Sequence, residues 1–224
     1  MSQLPPRRGA AFALTICTIL VACSSSEVKI VCPEGTVEEG RPPPLGRTQT
    51  CVRPIQGGDG ETTIKHGPSL SWFSNGRVRT EHHYVEGRLD GPAATYHDNG
   101  EHASRGPYAK GEKIGVWETW SPAGIRLSRQ EYRDGRLHGV QKDYFADGRL
   151  KRRERFHAGL RDGDSTAFHA SGERHLAGRY KSGERDGQWL EWASNGALDQ
   201  IHHYEDGKRI AGPGRGHDPN PPTP

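Results

Sequence analysis

Eighteen glycines stand in three columns, each with a period of 24 residues, and no insertion or deletion breaks the register. The first column is Gly67, Gly91, Gly115, Gly139, Gly163 and Gly187. The second is Gly76, Gly100, Gly124, Gly148, Gly172 and Gly196, and the third is Gly87, Gly111, Gly135, Gly159, Gly183 and Gly207. Six units of fixed length are the signature of an array in which each unit packs on the next. Glycine at these intervals disfavours helices. The segments between turns are four to eight residues long, a length that suits strands.

Two aromatic columns share the period. One is Trp72, Tyr96, Trp120, Tyr144, Phe168 and Trp192; the other is Tyr84, Tyr108, Tyr132, Phe156, Tyr180 and Tyr204. Asn75-Gly76, Asn99-Gly100 and Asn195-Gly196 read as hairpin turns, with Asp147-Gly148 a variant of the same chemistry. Lys110-Gly111, Asp134-Gly135 and Asp206-Gly207 mark the second turn of each unit, with glycine supplying φ > 0. The pattern predicts an all-β fold: an elongated single-layer antiparallel meander of six hairpins, or twelve strands spanning roughly 60 Å. Stacked aromatics are expected on one face, with the opposite face polar and wet. Trp117 and Trp189, outside the two columns, are expected to extend the ladder, with a contact surface as the alternative.

The units resemble the bacterial variant of the MORN-repeat family. Gly187-Gln188-Trp189-Leu190-Glu191-Trp192-Ala193-Ser194-Asn195-Gly196, closing at Tyr204-Glu205-Asp206-Gly207, carries the resemblance most fully. Gly115-Val116-Trp117-Glu118-Thr119-Trp120, closing at Tyr132-Arg133-Asp134-Gly135, is a second copy. The resemblance covers 67–210, with Ala123, Asp147 and Ser171 in place of the turn Asn, and Phe156 and Phe168 in place of Tyr or Trp. Members often carry the label of YwqK-like antitoxin, which implies neutralising a partner toxin.

Composition narrows the function. Hydrophobic residues are 31% of the chain, with 30 Gly and 16 Pro, too little apolar material for a large buried enzyme core. Sixteen of 17 aromatic residues lie between Trp72 and Tyr204, which argues against disorder there. No G-x-S-x-G, P-loop, H-E-x-x-H or dinucleotide fingerprint occurs, and no cofactor is expected. His82-His83 and His202-His203 share a repeat offset, but adjacent strand residues point to opposite faces, so neither pair is a natural chelate. No catalytic or metal site is expected.

The N-terminus reads as an address. Arg7 and Arg8 precede an apolar stretch from Ala10 to Ala22, too short to span a bilayer comfortably. It ends in Leu20-Val21-Ala22-Cys23, which resembles a bacterial lipobox. That resemblance implies a signal peptide over 1–22, acylation of Cys23 and anchoring in the cell envelope, with Ser24 pointing to the outer membrane. Removal of the leader leaves 29 basic and 28 acidic side chains, a balance that gives no general reason to expect nucleic acid.

Residues 23–31 would then be a tether. Cys32 and Cys51 remain, and an exported chain can oxidise them. They would staple a Gly/Pro-rich segment and linker over 32–66 and cap one sheet edge; two unpaired thiols is the alternative. Residues 211–224 read as a disordered Gly/Pro tail. The sharpest charge feature is Arg149, Lys151, Arg153 and Arg155, which alternate along one strand and should share a face. With Lys142 and Arg161 nearby, they are candidates for an anionic glycan, a lipid or an acidic protein; a solvated face is the plain alternative. The leading expectation is a non-enzymatic, lipid-anchored scaffold that binds a protein partner. An anionic glycan or lipid module and an antitoxin-like protein are the alternatives.

Overall fold

A computed structural model of the chain describes residues 29–57 and 60–214. The segment read as a leader over 1–22, Cys23 and the last ten residues lie outside them. Every regular element described is a strand. β1 (Val37–Arg41), β2 (Thr48–Gly57) and β3 (Gly60–Trp72) lead in. Then come β4 (Val78–Val85), β5 (Arg88–Leu89), β6 (Gly91–Tyr96), β7 (His102–Ala109), β8 (Glu112–Lys113), β9 (Gly115–Trp120) and β10 (Arg126–Arg133). The series continues with β11 (Arg136–Leu137), β12 (Gly139–Tyr144), β13 (Leu150–His157), β14 (Leu160–Phe168) and β15 (Arg174–Lys181). It ends with β16 (Glu184–Trp192), β17 (Leu198–Glu205) and β18 (Lys208–Gly214). The two-residue pieces β5, β8 and β11 are the starts of β6, β9 and β12. Counted that way, each strand pairs antiparallel with the next in chain order, giving a single open meander.

All eighteen lattice glycines have positive φ. At the third column the preceding residue does too: Glu86 (φ 50°) with Gly87 (φ 76°), and likewise Lys110, Asp134, Ala158, Ser182 and Asp206. Two consecutive positive φ angles define a type I′ turn, whose twist matches that of the flanking strands. Each third-column N–H then reaches back one unit, as from Gly87 to the Lys65 carbonyl at 2.8 Å and from Gly159 to the Leu137 carbonyl at 2.8 Å. At the second column only glycine is left-handed. Gly76 N–H donates to the Phe73 carbonyl (3.1 Å) and Phe73 N–H to the Arg77 carbonyl (2.8 Å). The Asn side chain completes this loop by accepting from the N–H two residues on (Asn75 Oδ1 to Arg77 N, 3.0 Å).

The two aromatic columns lie on opposite faces of the sheet, not on one. Register fixes this. Trp117 faces Gln130, and Gly115 faces Tyr132, so the Tyr84 to Tyr204 column shares a face with Trp117. Trp120 stands three residues after Trp117 on the same strand and must point the other way. A bulge between Arg126 and Ser128 adjusts the ladder at that level, and equivalent irregularities recur in other units. Burial agrees: Trp117, Trp189 and Phe156 are buried on one face, and Leu70, Trp72 and Trp192 on the other. A single-layer sheet has no second layer to cover a bare face, so both faces carry rings over neighbouring strands.

On the Trp117 face a cation or a Leu sits opposite each ring of the second column. The pairs are Tyr84–Leu89, Tyr108–Lys113, Tyr132–Leu137, Phe156–Arg161, Tyr180–Arg185 and Tyr204–Arg209. Lys113 Nζ lies 4.1 Å from the Trp117 ring centroid and 5.3 Å from that of Tyr132; the Arg185 guanidinium lies 4.4 Å from Trp189 and 5.2 Å from Tyr204. The stems supply packing while the heads meet ring faces, so scarce apolar residues are supplemented by cation–π contacts.

The sheet outruns the repeats at both ends. Part of the segment read as a linker forms β1, β2 and the first half of β3, and β18 continues to Gly214, four residues into the segment read as a tail. Backbone pairing with a ready-made edge overrides composition there. The outer strands are short and charged or carry Pro213, features that discourage pairing with other chains.

Candidate functional site

Cys32 and Cys51 are bonded, with Cα atoms 5.4 Å apart and Cys51 fully buried on β2. The bridge ties the chain before β1 against the sheet, and the Pro33 ring packs where a side chain at Gly67 would otherwise lie. Among the described residues it is β1 that forms the first edge, and the staple holds the segment leading into it.

The basic residues separate. Arg149 belongs to the turn, and its guanidinium is bound by Asp147 Oδ2 at 2.9 and 2.7 Å. That pairing holds the Asp147 carboxyl below its usual range, chiefly through the side-chain hydrogen bond. Lys151 is the extra residue at the β12–β13 bulge, its Nζ 5.8 Å from the Phe145 ring. Arg153 and Arg155 alternate on the Trp120 face, both exposed. Lys142 stands directly opposite Arg153. Arg161 lies on the other face, where it meets the buried Glu154 carboxylate at 3.0 Å; Arg152 lies 3.9 Å from the same group. The strand therefore sorts its charges by face. Arg152, Glu154 and Arg161 compensate one another on the Trp117 face, whereas Lys142, Lys151, Arg153 and Arg155 have no carboxylate within 4.0 Å among the described residues.

Those cations continue a straight cross-strand row on the Trp120 face: Arg105, Glu118, Arg129, Lys142, Arg153, Thr166, Ala177 and Leu190. Its first part is neutralised. Glu118 accepts from Arg105 (3.0 Å) and Arg126 (3.1 Å), and Arg129 pairs with Glu131 (2.8 Å). Beyond Arg129 the row stays cationic through Lys142 and Arg153. It then borders a shallow, open depression of about 700 Å³ over β14–β16, lined by Arg153, Asp164, Phe168, Arg174, Arg179 and Asp186 among others.

Two histidines serve the repeat lattice. His97 and His169 share an offset, and each Nε2 donates to a carbonyl of the next unit, Trp120 at 2.9 Å and Trp192 at 2.8 Å. His82 is held below its ordinary pKa by burial and then by the Lys65 charge. His82 and His83 point to opposite faces, as do His202 and His203. Among the described residues no group of three or more His, Cys, Asp or Glu side chains is placed to hold a metal ion.

The depression was not singled out in the sequence, because its residues come from four strands and only the cross-strand register brings them to one face. The alternation of faces within each strand, with the odd spacing of Trp117 and Trp120, is the signal by which the face can be read. Comparison with protein-family models and with curated proteins finds no match.

Proposed function

We propose that the chain is a non-enzymatic repeat scaffold of the cell envelope, anchored through an acylated Cys23, that presents a broad sheet face to a protein partner. The observation that carries this reading is the open single sheet with both faces patterned along its length. Lattice side chains hold the units together and leave exposed charge in one contiguous stretch on the Trp120 face. The lipobox-like Leu20 to Cys23 and the resemblance of the repeats to the bacterial MORN variant support the same reading.

Two experiments test it. Palmitate labelling with fractionation, wild type against Cys23→Ala, is expected to lose label in the variant; retained label removes the basis for the anchor. A pull-down from crosslinked envelopes is expected to recover a discrete partner; nothing above an anchor-only control overturns the scaffold reading.

A further inference from the structure

We infer that the depression over β14–β16 on the Trp120 face binds an acidic saccharide. The Lys142–Arg153 row would extend the site for a chain of several sugars. This goes beyond the scaffold reading and does not depend on the lipid anchor.

The chemistry of the lining carries the inference. Recognising a sugar takes a ring face for the C–H side of the pyranose, and polar groups around it for the hydroxyls. Phe168 is half-buried and lines the depression, so its ring is fixed yet in contact with solvent. Arg174 stands directly opposite Phe168, and Asp164, Arg179 and Asp186 form a cross-strand row on the same face four residues back along β14, roughly 13 Å away, a separation that suits successive sugars of one chain. Asp164 and Asp186 can accept from sugar hydroxyls. Arg153, Arg174 and Arg179 can bind a carboxylate or phosphate by paired N–H donors.

Charge then selects an acidic sugar over a neutral one. None of these three arginines has a carboxylate within 4.0 Å among the described residues. The three cations of the lining outnumber its two carboxylates, and Lys142, Lys151 and Arg155 lie next to Arg153 with no compensating anion. Arg174 also lies 5.8 Å from the Trp192 ring, which limits its freedom and favours a defined anion geometry. Strand spacing of about 4.8 Å sets Lys142, Arg153 and Thr166 as a regular series across β12, β13 and β14, matching a linear polymer better than a single small anion.

An acidic peptide would use the charge but not the ring, and this separates the two partners. The test is calorimetric titration of the full chain with three probes of equal length: hexagalacturonate, maltohexaose and hexaglutamate. Saturable binding of hexagalacturonate, at least tenfold tighter than that of maltohexaose, is expected. Arg153→Gln with Arg179→Gln should weaken it about tenfold or more. Phe168→Leu, which keeps the position apolar, should weaken hexagalacturonate several-fold and leave hexaglutamate unchanged. Arg133→Gln, at the end of β10 away from the depression, should have no effect, and unaltered far-ultraviolet circular dichroism verifies that each variant folds. Equal binding of maltohexaose, equal or tighter binding of hexaglutamate, indifference to Phe168→Leu, or no binding of hexagalacturonate would each overturn the inference. None of these results bears on whether a protein partner is captured in the envelope.

Discussion

Gly106 and Trp117 face each other on neighbouring strands, and the indole occupies the space that a Cβ at Gly106 would need. Three repeats later Gly178 and Trp189 repeat the arrangement. In both, the indole N–H donates to a carbonyl of the neighbouring strand, Pro107 at 3.1 Å and Arg179 at 3.2 Å. Neither glycine belongs to the turn lattice. Each is small because a tryptophan lies flat across it, and the pairs make two of the most buried points in a sheet with no second layer.

Gly106→Ala and Gly178→Ala should therefore destabilise by overpacking, by about 1–3 kcal/mol each. Trp117→Ala should cost about 3–5 kcal/mol by leaving a cavity and removing the indole hydrogen bond to the Pro107 carbonyl, which keeps its bond from the Ile114 N–H. Urea midpoints measure both. If Gly106→Ala is neutral, the indole is not held against that strand.

Turn side chains link adjacent units. Asn75 Nδ2 donates to the Asp98 carbonyl at 2.8 Å, and Asn99 Nδ2 to the Pro122 carbonyl at 2.6 Å. Asn99→Asp keeps the acceptor that completes its own loop and loses the donor to the next unit. The expected loss is about 0.5–1.5 kcal/mol, the net worth of one hydrogen bond. Amide exchange at Gly124, in the neighbouring turn, should quicken. Unchanged exchange there would show that the link does not couple the units.

The Cys32–Cys51 bridge closes a loop over a sequence separation of 19 residues, worth about 3 kcal/mol in the chain-entropy account. Its contacts are confined to the first edge, so reduction should release β1 and β2 while leaving β6–β17 protected. Hydrogen exchange with and without reductant distinguishes this local opening from collapse of the whole sheet.

Alkaline pH should unfold the sheet. Burial raises Tyr96, Tyr108 and Tyr132 above their ordinary pKa near 10, with the Glu81 charge adding at Tyr96 and neighbouring tyrosines at the other two. A tyrosine raised in the folded state contributes stability that is fully present below its unfolded pKa and is lost as pH rises through the folded value. Lys113, lowered by burial, acts in the opposite sense, adding stability as it neutralises, but it is one group against three. Absorbance at tyrosinate wavelengths should show a late-titrating fraction that appears together with unfolding. Ordinary titration of every tyrosine in a still-folded chain would contradict this burial.

Much of the fold was legible in the glycines. Left-handed turns at fixed spacing allow little but hairpins in register, and every lattice glycine adopts positive φ. The face assignment was less accessible. Two columns twelve residues apart look as though they belong together until the turn and the bulge near Ser128 are counted, and only Trp117 beside Trp120 exposes the error. Arg149 was misplaced for a related reason: its strand begins one residue later, and Asp147 holds it in the turn. The cationic row and the depression depend on cross-strand register, which a sequence carries only indirectly. β18 was missed because Gly and Pro suggest disorder, whereas an available edge supplies the pairing that composition lacks.

The measurement closest to the central claim is site-specific photocrosslinking in intact envelopes. A photoreactive residue at Gln188 samples the Trp120 face, and one at Ala123 samples an exposed turn of the same scaffold. The scaffold account predicts a discrete adduct of one partner from Gln188 and none from Ala123. No adduct from Gln188, or the same diffuse products from both positions, would contradict it.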